Sequence, residues 1–225
     1  METTEKKIAE RIFNLIILDE SGSMTGLEKV SVDGVNETIQ TIKAAAEASP
    51  QQKQMFSFVT FSGLGNVAPS YRVHTLLKEI SDVREFQVDS YKPRGNTPLW
   101  DAVGRALIEL QRVVTENDLV LVTIITDGYE NASTEFTGQM VHDMVTMLSG
   151  KGWVFTYIGA NQDALQEAYK LGIRNALNFK SDQEGTRQMW MKERHSRQVF
   201  YDKVKMSDCI DENLTRGYFG DLDEK

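Results

Sequence analysis

Asp19-Glu20-Ser21-Gly22-Ser23 sets oxygen-bearing side chains at alternate positions directly after the apolar run Phe13-Asn14-Leu15-Ile16-Ile17-Leu18. A carboxylate and two hydroxyls so spaced, where a strand runs out, can present hard ligands to a small divalent cation. Two more oxygen donors stand in comparable places: Thr97 in Gly95-Asn96-Thr97-Pro98 and Asp127 in Thr126-Asp127-Gly128. Magnesium takes oxygen ligands in near-octahedral geometry at about 2.1 Å and readily keeps waters. Asp19 and Asp127 formally balance a dication, and Ser21, Ser23 and Thr97 add ligands without adding charge. Such an ion is less neutralised than one in a cage of carboxylates, which leaves it able to take a carboxylate from a partner. By itself Asp-x-Ser-x-Ser also describes a capped or tight turn. The two later segments favour the metal centre. Calcium or manganese is an alternative occupant.

Three distant segments reach one place only if the right elements carry them there. Periodicity predicts strands over residues 13–19, 55–61, 118–126, 153–159 and 176–179, with a short edge strand over 71–76. The helices expected between them cover residues 31–48, 98–114, 136–149 and 162–171, and a polar, charged helix follows over 183–200. Thr97 is placed as the cap of the second helix and Pro98 in its first turn. Residues 77–96 show no regular pattern. Strands alternating with helices predict a three-layer α/β/α fold around a doubly wound, mostly parallel sheet. In such sheets the functional crevice lies beyond the carboxyl ends of the strands, at a switch in strand order. Asp19 and Asp127 both end strong apolar strands, so the crevice is where they are expected to meet.

This combination resembles the von Willebrand factor A (vWA) domain with its metal-ion-dependent adhesion site, over residues 12–180. The resemblance rests on Asp19, Ser21 and Ser23 as Asp-x-Ser-x-Ser, on Thr97 before a central helix, and on Asp127-Gly128 after a central strand. It extends to bacterial intracellular members such as the tellurium-resistance-associated type. The resemblance implies an open sheet with one short antiparallel edge strand, helices on both faces, and magnesium-assisted binding of a protein partner that supplies an Asp or Glu. It assigns Asp19, Ser21, Ser23, Thr97 and Asp127 as metal ligands, Thr97 directly or through water. Residues 181–225 are then a C-terminal helical extension packed on the same domain.

Composition narrows the alternatives. The chain has 225 residues, a formal charge of -8 and a single cysteine, Cys209. An acidic balance gives no general attraction to nucleic acid or anionic membrane. One cysteine allows no internal disulfide, and no signal-peptide core or membrane-length apolar run is present, so a cytoplasmic protein is expected. Magnesium could instead serve phosphoryl transfer or hydrolysis, or be purely structural. The chain lacks the Walker phosphate loop, the Gly-x-Gly-x-x-Gly fingerprint and the Gly-x-Ser-x-Gly elbow, and no enzymatic activity is expected.

The remaining polar residues have ordinary expectations. Glu20 is expected to point to solvent, and Glu130 and Asn131 to solvate a loop. His74, His142 and His195 form no zinc spacing. Lys192, Arg194, Arg197, Lys203 and Lys205 are interleaved with Trp190, Phe200 and Tyr201. They read as a charged helix packing its aromatic edge on the domain rather than as a nucleic-acid surface, with Arg194, His195 and Arg197 on its solvated side.

Overall fold

A computed structural model describes residues 9–64, 67–160, 164–206 and 217–220. Cys209, the ends of the 207–225 tail, and the Gly65-Asn66 part of the loop after the second strand lie outside the described residues. The strands are β1 (Arg11–Asp19), β2 (Lys53–Leu64), β3 (Val67–Glu79), β4 (Leu119–Thr126), β5 (Val154–Ala160) and β6 (Asn175–Phe179). The helices are α1 (Glu28–Ala48), α2 (Leu99–Gln111), α3 (Gly138–Ser149), α4 (Ala164–Lys170) and α5 (Gln183–Met206).

The strands form one sheet in the order β3-β2-β1-β4-β5-β6, parallel throughout except for the β2–β3 edge pair. Winding proceeds outward in one direction from β1 and then in the other from β4. The switch in strand order therefore falls between β1 and β4, with Leu18 opposite Ile125. The antiparallel edge strand expected over 71–76 runs 13 residues and carries register shifts against β2. Its polar content suits an edge, and the bulges twist that edge away from simple pairing.

Alternation in the central strands feeds two cores. Ile12, Ile16 and Leu18 of β1, with Leu119, Leu121 and Ile125 of β4, pack under α1 and α5. Phe13, Leu15 and Ile17, with Val120, Val122 and Ile124, pack under α2, α3 and α4. Of the apolar stripe expected on α1, Val32, Val35, Ile39 and Ile42 are buried and Ala46 partly so; of that expected on α2, Leu99, Val103, Ala106, Leu107 and Leu110 are buried, while Val114 is partly buried and lies beyond the helix end. α2 begins with Pro98 at its cap position, and no cap bond from a side chain is made there. Thr97 is therefore not the helix cap. Glu130 and Ser133 serve instead: a Glu130 carboxylate oxygen accepts the Trp100 N–H at 2.9 Å, and the Ser133 hydroxyl accepts that of Asp101 at 3.1 Å.

α5 lies directly on α1. A Cβ on Gly34 would come within 2.1 Å of the Trp190 ring, so glycine is what permits this approach. Trp190, Phe200, Tyr201 and Val204 of α5, and Tyr218 and Phe219 beyond it, belong to the same core as α1. Arg194 and His195 are exposed as expected, but Arg197, placed with them on the solvated side, is 0% exposed. Among the described residues no helix is long and apolar enough to cross a membrane.

Candidate metal centre

Asp19 is the last residue of β1 and lies beside Thr126, the last of β4. Both of its carboxylate oxygens are engaged. Oδ1 accepts the Ser21 N–H at 2.6 Å, and Oδ2 accepts the Thr126 hydroxyl at 2.6 Å. The chain then turns through a short 3-10 segment, Gly22–Met24, anchored by the buried Met24. This brings the Ser21 and Ser23 hydroxyls to 3.1 Å from each other. Ser23 donates to Asp127 Oδ1 at 2.5 Å. Asp127 Oδ2 accepts the Ser181 hydroxyl at 2.9 Å, from the turn between β6 and α5.

The segment 94–97 is laced to both neighbours. Gly63 and Asn96 exchange backbone hydrogen bonds of 2.8 and 2.6 Å, the Gly22 N–H reaches the Gly95 carbonyl at 2.9 Å, and the Arg94 N–H reaches that of Glu20 at 2.9 Å. Gly95 has a φ of +69°, a left-handed conformation that favours glycine. Thr97 is clamped to Asn131: its N–H donates to Asn131 Oδ1 at 2.8 Å, and its carbonyl accepts the Asn131 N–H at 3.2 Å. A Cβ built on Gly128 would lie 3.1 Å from Thr97 Oγ1 and 3.7 Å from Ser23 Oγ. The Thr97 hydroxyl therefore sits against Asp127-Gly128, and the fold brings Asp19, Ser21, Ser23, Thr97 and Asp127 to one locus at the switch point.

Electrostatics at this locus are one-sided. Asp19 is 0% and Asp127 5% exposed, and among the described residues neither forms an ion pair with a Lys or Arg. Burial pushes the Asp19 carboxyl up to about 7, against the lowering effect of its bonds from Thr126 and Ser21, and the charge of Asp127 pushes the same way. Two carboxylates and three hydroxyls form a hard-oxygen set of the kind magnesium takes, with no thiolate or imidazole that would favour zinc. Among the described residues no group of three His, Cys, Asp or Glu stands together as an alternative centre.

Glu20 corrects an expectation. It is 1% exposed and turned away from Asp19, where it accepts from the Thr60 hydroxyl at 2.6 Å and the Lys92 N–H at 2.6 Å, with Arg72 at 3.3 Å. Thr60 also meets His74 Nε2 at 2.8 Å. Since Thr60 gives its hydrogen to Glu20, the imidazole must donate from Nε2. Tyr91 donates to the Asp19 carbonyl, which ties the same wall together. Glu130 is likewise no solvating residue: besides Trp100 it accepts the N–H groups of Ala132 and Ser133 at 2.8 and 2.6 Å. Two residues not expected at the site, Thr126 and Ser181, each hold one oxygen of an aspartate, Asp19 Oδ2 and Asp127 Oδ2. Thr126 adjoins Asp127 and could have been suspected; nothing local marks Ser181.

No protein-family model and no curated protein sequence matches the chain. Solved structures do. Proximal thread matrix protein 1 from the mussel byssus aligns with a TM-score of 0.55 at 15% identity, over 90% of this chain and 47% of its own, so this chain spans about half the length of that protein. One crystal structure of the mussel protein has zinc in its MIDAS motif. A von Willebrand factor type A protein from Catenulispora acidiphila gives 0.57 at 14% identity, over 83% of this chain and 42% of its own. The SpRpn10 VWA domain gives 0.52 at 13% identity, over 80% and 94%. With the strand order and helix layers above, these likenesses give the chain a von Willebrand factor A-like fold.

Proposed function

We propose that this chain is a metal-dependent protein-interaction module. Asp19, Ser21, Ser23, Thr97 and Asp127 hold a magnesium ion, and a protein partner supplies an Asp or Glu side chain to it. The observation that carries this reading is the pair of buried aspartates, ringed by hydroxyls and, among the described residues, paired with no basic side chain. Burying carboxylates without a counter-charge is costly, and a cation drawn from solvent offsets that cost. When bound, the ion supplies Lewis-acid attraction for a carboxylate. The protein's own part is to orient the ligands. The Asn131 clamp positions Thr97, the 3-10 turn presents Ser21 and Ser23, and the Thr126 and Ser181 bonds aim the aspartates. The role is recognition rather than catalysis, in a cytoplasmic setting.

Magnesium alone is the first probe. At a hundredfold excess over Kd it should add about 2.7 kcal/mol of stability, a rise in Tm of about 5–10 °C for a domain of this size. Asp19→Ala should abolish that rise. Peptides with one central Glu should then bind the native protein with magnesium and not with chelator, while their Gln counterparts fail. No effect of magnesium on Tm overturns the proposal. Stabilisation without any preference for Glu over Gln reduces the ion to a structural one.

A further inference from the structure

Every carboxylate oxygen of the two aspartates at the centre already accepts a hydrogen bond. In Asp127, Oδ1 takes the Ser23 hydroxyl at 2.5 Å and Oδ2 the Ser181 hydroxyl at 2.9 Å. In Asp19, Oδ1 takes the Ser21 N–H at 2.6 Å and Oδ2 the Thr126 hydroxyl at 2.6 Å. Four donors thus fix the rotation of two carboxylates. Two of the donors, Thr126 and Ser181, lie outside the five residues assigned to the ion.

We infer that Ser181 is a positioning residue that fixes the rotation of the Asp127 carboxylate, so that the centre selects magnesium over calcium. The inference rests on the metal reading above and adds a selectivity mechanism to it. The chemistry is the difference in coordination between the two ions. Calcium takes 6–8 oxygens at about 2.3–2.6 Å and commonly gains the extra ones from bidentate carboxylates. Magnesium requires near-octahedral geometry at about 2.1 Å, with one oxygen from each carboxylate. Holding the Asp127 carboxylate between Ser23 and Ser181 resists the rotation that a bidentate contact with the larger ion would need. Thr126 does the same for Asp19 from inside β4.

The place from which Ser181 acts makes the restraint firm. Its turn leads straight into α5, and the helix start is pinned by Asp182, whose side chain accepts the Gly185 N–H at 2.7 Å and whose carbonyl accepts the Thr186 N–H at 2.9 Å. α5 is in turn seated by Trp190 on Gly34 and by Arg197 beneath the sheet. A hydroxyl delivered from so fixed an element cannot swing to follow a rotating carboxylate.

The test is calorimetric titration of the whole chain with magnesium chloride and, separately, calcium chloride. In Ser181→Ala the ratio of magnesium to calcium affinity should fall roughly tenfold, the low end of what outer partners of metal ligands are worth. Ser181→Thr, which keeps the hydroxyl, should restore the native ratio. Thr126→Val should shift the ratio in the same direction through Asp19, and it serves as the deciding variant if Ser181→Ala does not fold. A native ratio in folded Ser181→Ala, or in Thr126→Val where Ser181→Ala does not fold, overturns the selectivity claim while leaving the metal reading intact. If the native protein binds neither ion, the metal reading falls and this inference with it.

Discussion

Arg197 is wholly buried under the sheet, yet its charge is met from several sides. Glu193 accepts from its Nε and Nη2 at 2.9 and 2.6 Å, Thr123 from Nη2 at 2.9 Å, and Asn14 from Nη1 at 3.0 Å. Tyr218 donates to the same Glu193 oxygen at 3.1 Å, and Tyr201 to Asn14 at 2.6 Å. At the carboxyl ends of β1 and β4, Asp19 and Asp127 are buried about as deeply but, among the described residues, their carboxylates meet hydroxyls and a backbone amide and no cation. One cluster contains its own cation and the other does not. A closed, self-balanced network serves the fold, because breaking it strands a buried charge. A cluster with carboxylates in excess is complete only with something from solution. That difference, independent of any relative, is what supports the proposal that the second cluster binds a cation.

The largest expected effect comes from breaking the balanced cluster. Arg197→Met leaves Glu193 buried and unpaired, which should destabilise the chain by about 3–5 kcal/mol, roughly 10 °C in Tm. Glu193→Leu combined with Arg197→Met should recover most of that loss, because an apolar pair of similar volume avoids the desolvation of both charges. Neither change should alter the response to magnesium. A single variant melting with the native protein would show that the network contributes little.

The opposite sign is expected at the unbalanced cluster. With metal chelated at pH 8, Asp19→Asn removes a buried charge that has no counter-ion, and should raise stability by about 1–3 kcal/mol. The pH dependence follows from the raised Asp19 carboxyl. Folded, it holds its proton up to about 7; unfolded, it releases it near the ordinary value of 3.8. Between those values the folded state binds more protons, so this contribution is present below pH 4 and is lost as pH rises towards 7. His74 runs the other way. Burial lowers its imidazole to about 4, so its contribution is lost as pH falls from 6.5. Asp127 adds to the Asp19 effect, while Glu20 and Tyr91 lie close by. Subtracting the Asp19→Asn melting curves from the native ones isolates Asp19. A difference that does not change with pH from 4 to 7 would contradict the uncompensated-charge argument.

The two clusters were unequally legible in the sequence. Asp19, Ser21, Ser23, Thr97 and Asp127 could be read because each is a polar residue at the end of a strongly periodic element, and parallel winding sends such ends to one edge. Arg197 was misread although the pattern was available. Trp190, Glu193, Arg197, Tyr201 and Val204 recur at three and four residues along α5, and so share one face. Charge argued for solvent, and the matching interruptions, Asn14 in β1 and Thr123 in β4, lie far away in the chain. Glu20 failed for the same reason, since its partners Thr60, Arg72 and Lys92 come from β2, β3 and the loop beyond. Periodicity gives a side chain its direction, but burial of a charge depends on a partner that only the tertiary fold supplies. Ser181 was hidden differently: it lies in a turn, where no period exists to place it.

The smallest effect concerns the boundary between the two kinds of cluster, where a neutral bond supports the site without carrying charge. Asn131 holds Thr97 through the 2.8 Å bond from the Thr97 N–H, and its own N–H reaches the Thr97 carbonyl whatever its side chain. Asn131→Ala should therefore keep half of the clamp. It leaves one backbone N–H short of an acceptor at a partly buried position, a cost of about 1 kcal/mol. If that cost falls equally on the chelated and magnesium-loaded protein, Asn131 belongs with Glu193 and Arg197 as part of the fold. If it weakens magnesium binding severalfold and barely moves the chelated Tm, the bond is made for the ligand, because only the loaded site demands the exact place of the Thr97 hydroxyl. The geometry favours the second outcome, since the Thr97 hydroxyl sits against Gly128 while its backbone remains tied through the 94–97 lacing.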